Sequence, residues 1–185
     1  MNTFIEQIDQ KSDVDRIYSE LTEILKNTSW QNNQLGLRHK NKSIDVWHDS
    51  VGSLYDHSTK TFKSKESDFN IWSLNENSYI REQITLLSSK LNFEIGRVRF
   101  MKLLPFSGLS IHQDCEYRYH LVIKTNPKSY ICVNSKLYSD NIEPLAQCYH
   151  LPKNNQWFKV DTMKTHWVYN GGNTERIHLV VCSTK

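Results

Sequence analysis

Residues 94–125 read EIGRVRFMKLLPFSGLSIHQDCEYRYHLVIKT, and their period decides the fold. The runs 94–104, 109–114 and 117–125 are strand-like, and Pro105 and Gly108 punctuate the first gap. Alternation at a period of two marks a half-buried strand. Toward the C-terminus, five more strand-like runs follow at 129–133, 146–151, 156–161, 165–170 and 175–183. Turn formers separate many of them: Asn126-Pro127, Asn134, Pro152 and Gly171-Gly172. Eight short strands in so short a span predict a barrel or sandwich, such as a jelly roll.

Toward the N-terminus the period lengthens. Val14, Ile17, Tyr18, Leu21, Ile24 and Leu25 share one helical face and predict a helix over about 13–27. Ser12 and Asp15 have capping-box spacing, as do Ser73 and Glu76. Tyr79, Ile80, Ile84, Leu87 and Leu91 predict a second helix over about 75–91. Between the helices, residues 28–70 are rich in Asn, Ser, Lys and His. Two apolar islands there, Leu35-Gly36-Leu37 and Ile44-Asp45-Val46-Trp47, are expected as isolated strands among loops. The expectation is one domain over 1–185, mainly β with flanking helices. Residues 1–91 would form the support and substrate region, and 92–185 the β core.

Composition excludes several function classes. The chain has 185 residues, 38% hydrophobic and 11% aromatic, which argues against disorder. Six Gly and four Pro exclude a collagen-like chain. A net charge of +3 is too mild to imply nucleic acid. No apolar run is long enough to span a membrane, and the N-terminus lacks a secretory pattern. Cys115, Cys132, Cys148 and Cys182 are widely spaced without a C-x-x-C, so reduced, packed thiols in a cytoplasmic chain are expected. The five tryptophans are expected mostly to pack.

Several residues carry chemistry. His112-Gln113-Asp114 puts an imidazole and a carboxylate on one strand face. Alone, a surface His–Asp pair is the commoner reading. His166 lies in an aromatic strand, where a satisfied core histidine is the commoner reading. Arg176 heads a strand whose alternation groups it with His178, Val180 and Cys182. A buried Arg needs a partner, either a protein carboxylate or a ligand carboxylate held in its planar fork. Arg118 and His120 share a face of another apolar strand, as a core pair or as further donors. Together, two His and one carboxylate make the ligand set of a non-haem Fe(II) site with open positions.

The chain from about 92 to 185 resembles the Fe(II)/2-oxoglutarate-dependent oxygenases. Within them it is most similar to the aspartyl/asparaginyl β-hydroxylase-like group, including free-proline hydroxylases and phage-encoded members. The matching stretches are Arg97-Val98-Arg99-Phe100-Met101, Ile111-His112-Gln113-Asp114, Arg118-Tyr119-His120 with Thr125-Asn126-Pro127, Asp161-Thr162 with His166 and Asn170, and Arg176-Ile177-His178-Leu179-Val180. Glu66-Ser67-Asp68-Phe69 also resembles phage members, without an assigned role.

The resemblance implies a double-stranded β-helix, a cupin-like jelly roll. It implies Fe(II) on His112, Asp114 and His166, and the 2-oxoglutarate C5 carboxylate on Arg176. Arg118 and His120 would also contact this co-substrate, and O2 would be the oxidant. Asp161 and Asn170 are candidates for orienting the ligands, or are turn residues. The β-hydroxylases proper lack an acid at the position of Asp114, so the site looks more like the proline-hydroxylase-like members. The substrate class implied is an amino acid, free or in a protein. The rival readings are a non-catalytic cupin-like binding module and another metal-dependent cupin enzyme. Those enzymes commonly use more histidine ligands.

Overall fold

The computed structural model describes residues 3–56, 58–134 and 146–184. The chain enters on strand β1 (Ile5–Lys11), which the sequence reading leaves unassigned, and continues into helix α1 (Val14–Ile24). Four short strands follow: β2 (Gln34–Gly36), β3 (Arg38–His39), β4 (Tyr55–Asp56) and β5 (Thr61–Phe62). A 3-10 turn (Glu66–Asp68), β6 (Ile71–Trp72) and helix α2 (Tyr79–Leu91) complete the N-terminal half. All eight expected C-terminal strands form: β7 (Glu94–Leu103), β8 (Ser107–His112), β9 (Arg118–Lys124), β10 (Ser129–Asn134), β11 (Ala146–Tyr149), β12 (Gln156–Val160), β13 (His166–Asn170) and β14 (Arg176–Thr184).

These eight strands divide between two sheets. β7, β9, β12 and β14 join β1 and β2 in a six-stranded sheet ordered β1-β12-β9-β14-β7-β2. β8, β10, β11 and β13 form a four-stranded sheet ordered β11-β10-β13-β8. This strand exchange is the double-stranded β-helix, a jelly roll.

Alternation assigns the two faces of the larger sheet. Val98, Phe100, Leu121, Leu179 and Val181 pack outward, in one buried cluster with Ile17 and Leu21 of α1 and Ile80, Ile84 and Leu87 of α2. The helices therefore cover the sheet's outer face. Leu103, Val122, Phe158 and Val160 face inward, against Ile131, Val133 and Val168 of the smaller sheet. Trp157 is fully buried, and Trp30, Trp47 and Trp72 pack against the outer cluster.

The helix starts differ from the capping-box expectation. α1 is capped by Asp13, whose Oδ1 accepts from the Asp15 and Arg16 amides. Ser12 is instead buried between layers, donating to Gln83 Oε1 (2.9 Å) and accepting from Trp157 Nε1 (2.9 Å). α2 begins at Tyr79 behind Ser78, and Ser73 donates to the Val46 carbonyl. The Glu20 carboxylate, projecting from α1, accepts from Ser78 Oγ and the Tyr79 amide, both at 2.7 Å.

Two further expectations are corrected. Residues 44–47 form no strand, because Asp45 Oδ1 accepts from the Trp47 and His48 amides and closes a turn. Cys132 and Cys148 are not reduced thiols. β10 and β11 place them directly opposite, and they are joined as a disulfide. Cys115 and Cys182 are free. No helix is long and apolar enough to cross a membrane among the described residues.

Candidate metal centre and carboxylate pocket

Antiparallel register brings the two histidines together. His112 ends β8, His166 begins β13, and they are direct partners with ring centroids 4.3 Å apart. Close approach of these strands needs Gly108, where a Cβ would lie 2.6 Å from the Val168 carbonyl oxygen. Asp114 follows β8 by two residues, and its amide donates to the Thr162 carbonyl (2.9 Å). The three potential ligand atoms all lie within 4.8 Å of one another.

The donor set fits a metal. His112 Nδ1 lies 2.7 Å from the Ser110 carbonyl, and His166 Nδ1 lies 2.9 Å from that of Lys164. A carbonyl only accepts, so both rings carry their proton on Nδ1 and leave the Nε2 lone pair free. Asp114 Oδ1 accepts from Arg118 Nη2 at 2.5 Å. Asp114 Oδ2 is buried without a hydrogen bond among the described residues, 3.7 Å from His166 Nε2. Burial, aided by His112 and Arg118, lowers the His166 pKa against the Lys164 carbonyl and Asp114. That favours the neutral imidazole a metal needs.

The facing wall is cationic. Arg118 and His120 project inward from β9, opposite Cys182 and Val180 of β14. Arg176 is buried at the start of β14, and burial pushes its pKa down to about 9. No carboxylate lies within 4.0 Å of its guanidinium among the described residues, so none of these supplies the protein–carboxylate partner. Burial first, then Arg176 and Arg118, hold His120 well below its ordinary value. A cavity of about 160 Å³ between the sheets is lined by His112, His166, Arg118, His120 and Arg176, among apolar neighbours such as Val160 and Val168. The fold thus gathers all six candidate residues.

Asp161 and Asn170 work at turns. Asn170 donates to the Leu103, Leu104 and Thr174 carbonyls, tying the β7–β8 and β13–β14 connections together. The Asp161 carbonyl accepts from the Lys164 amide, closing the turn that presents the Lys164 carbonyl to His166.

Other polar residues had no role in the sequence reading. Glu66 pairs with Arg97 (2.8 Å) and also accepts from the Arg97 amide (2.9 Å). Arg99 is fully buried, with Nη1 donating to Gln34 Oε1 (3.0 Å), and burial followed by Arg97 lowers its pKa to about 10. His178 touches both Arg176 and His120. Alternation already placed it on the side of Arg176, and it lies within a stretch matching the oxygenases, but neither signal gave it a role.

Residues 11–184 match the family profile described as aspartyl/asparaginyl beta-hydroxylase. Among solved structures, AviO1 from Streptomyces viridochromogenes Tue57 superposes with a TM-score of 0.56 at 9% identity, covering 98% of this chain and 89% of that one. A Pseudomonas putida prolyl-4-hydroxylase gives 0.50 at 7% identity, covering 100% and 89%. These two likenesses show the shared fold. An oxidoreductase of the 2OG-Fe(II) oxygenase family from Burkholderia pseudomallei gives 0.45 at 14% identity. That alignment covers 60% of this chain and 61% of that protein's length. No curated sequence matches the chain.

Proposed function

The chain belongs to the aspartyl/asparaginyl β-hydroxylase family, and from that premise we propose that it is an Fe(II)- and 2-oxoglutarate-dependent dioxygenase hydroxylating an amino acid, free or within a protein. The balanced reaction consumes 2-oxoglutarate, O2 and a substrate C–H. It yields succinate, CO2 and the substrate C–OH. Bound Fe(II) would supply the O2 activation that couples these two halves.

The observation that carries this reading is the convergence of three unoccupied donor atoms. The Nε2 lone pairs of His112 and His166 are left free by their Nδ1 bonds, and Asp114 Oδ2 is buried without a hydrogen bond among the described residues. In this reading those atoms hold the iron. Arg176, with no carboxylate beside it among the described residues, takes the far carboxylate of 2-oxoglutarate in its planar fork. Arg118 holds Asp114 in place by its 2.5 Å bond. Val160, Val168 and Ile131 give the cavity apolar wall between these polar groups.

The test is succinate release with Fe(II) and ascorbate, run against a panel of free amino acids and peptides. Substrate should stimulate release and gain one oxygen atom. Asp114→Ala should nearly abolish turnover. Turnover like that of the unmutated protein in this variant would overturn the ligand assignment.

A further inference from the structure

Three buried side chains on the inner face of β9 and β14 share one nitrogen. Arg176 Nη2 lies 2.9 Å from His178 Nδ1, and His120 Nδ1 lies 3.3 Å from the same atom. A guanidinium carries donors only, so Arg176 donates and His178 Nδ1 accepts. A neutral His178 then keeps its proton on Nε2. Two bare nitrogens at that separation would repel, so His120 donates from Nδ1 and its own Nε2 is a bare acceptor. Burial first, and Arg176 next, hold both imidazoles well below their ordinary range, consistent with two neutral rings. Both Nε2 atoms are buried and unpartnered among the described residues.

His120 and Arg176 line the cavity, whereas His178 is not part of its wall. Any effect of His178 on a ligand therefore passes through those two neighbours. We propose that His178 is a positioning residue: its Nδ1 aims the Arg176 guanidinium at the incoming carboxylate and fixes His120 as the Nδ1–H tautomer. One consequence concerns His120. The strand reading offered it as a further donor and the resemblance implied contact with the co-substrate, but this tautomer presents an acceptor. A carboxylate oxygen would then meet His120 only through an intervening donor such as water. The identity of the carboxylate rests on the 2-oxoglutarate reading, while the tautomers do not.

The first test uses metal-free protein labelled with 15N-histidine, with two-bond 1H–15N spectra reporting the protonated nitrogen of each ring. His178 should be Nε2–H and His120 Nδ1–H. A proton on His178 Nδ1 overturns the proposal. The second test compares His178→Asn, which keeps an acceptor near the Nδ1 position, with His178→Leu, which has none. Calorimetry with 2-oxoglutarate on the Mn(II)-loaded protein should show the Leu variant weakened about tenfold or more, the loss one charge-assisted hydrogen bond supports. The Asn variant should recover most of that affinity. In turnover, KM for 2-oxoglutarate should move more than kcat. Equal affinity in the Leu variant and the unmutated protein overturns the proposal. If the Leu variant does not fold, the spectra of the unmutated protein and the Asn variant decide. A protein that binds no 2-oxoglutarate but shows both tautomers would overturn the functional reading and support His178's hold on its neighbours.

Discussion

Arg97 and Arg176 are two buried guanidiniums with opposite surroundings. Arg97 is bracketed by Glu66, which binds both its side chain and its backbone amide. Arg176 has an imidazole and no carboxylate among the described residues. Glu66→Ala should therefore cost about 3–5 kcal/mol, because it leaves a buried charge unpaired. Urea denaturation checks this. Arg176→Ala should leave the melting temperature unchanged or higher, since it removes a buried cation that no carboxylate offsets among the described residues. The same variant should raise the KM for 2-oxoglutarate with a smaller change in kcat, as read from initial rates. The side to which Arg176 points was legible, because alternation along one strand is local. Its lack of a carboxylate partner among the described residues was not, and neither was Glu66 as the partner of Arg97. That pairing joins residues 31 apart, one in the irregular segment before α2 and one in the strand after it.

The strands of the β core were legible to within about two residues, because each carries its own period. β1 was not, since only Ile8 in it is buried and its pattern is weak. Its place depends on the free edge of β12, which pairs with it from Ile5 to Lys11. The start of α2 was misplaced for a similar reason. Its best cap is Glu20, which the sequence puts on another helix. Removing that carboxylate takes away the acceptor for an amide in the first turn and a favourable charge at the helix N-terminus. Glu20→Ala should cost about 1–2 kcal/mol, the range of a lost helix cap. Faster hydrogen exchange at the amides of Tyr79 and Ile80 would localise the loss to α2.

Across the whole molecule, the helices occupy one face of the larger sheet, and the other face encloses a core that is apolar toward one part and cationic toward another. Enclosing neutral imidazoles has a pH signature. His120 and His178 have an ordinary value of 6.5 and lie well below it when folded, through burial first. Between those two values the unfolded chain binds more protons, so stability is complete above about 6.5 and falls as pH drops toward the folded values. Glu66 acts in a lower window. Burial raises its pKa, but the hydrogen bonds and charge of Arg97 outweigh this and hold it below 4.5. Its contribution is present above the unfolded value and is lost as pH falls through the folded one. Melting temperatures of the metal-free protein should decline from about pH 6.5 downward and steepen at the acid end. A flat profile between pH 6.5 and the acid limb would contradict a neutral buried pair.

The sequence alone determined the eight strands of the β core, the two helices, the resemblance to the oxygenases and the side to which each candidate residue points, because those depend on local period and short motifs. It could not determine which of those residues meet. The contact of His166 with His112, the shared nitrogen of His178, the ion pair of Glu66 with Arg97 and the disulfide between Cys132 and Cys148 all depend on which strand edges pair and in what register. Those pairings join residues far apart in the chain, so only the tertiary structure decided them.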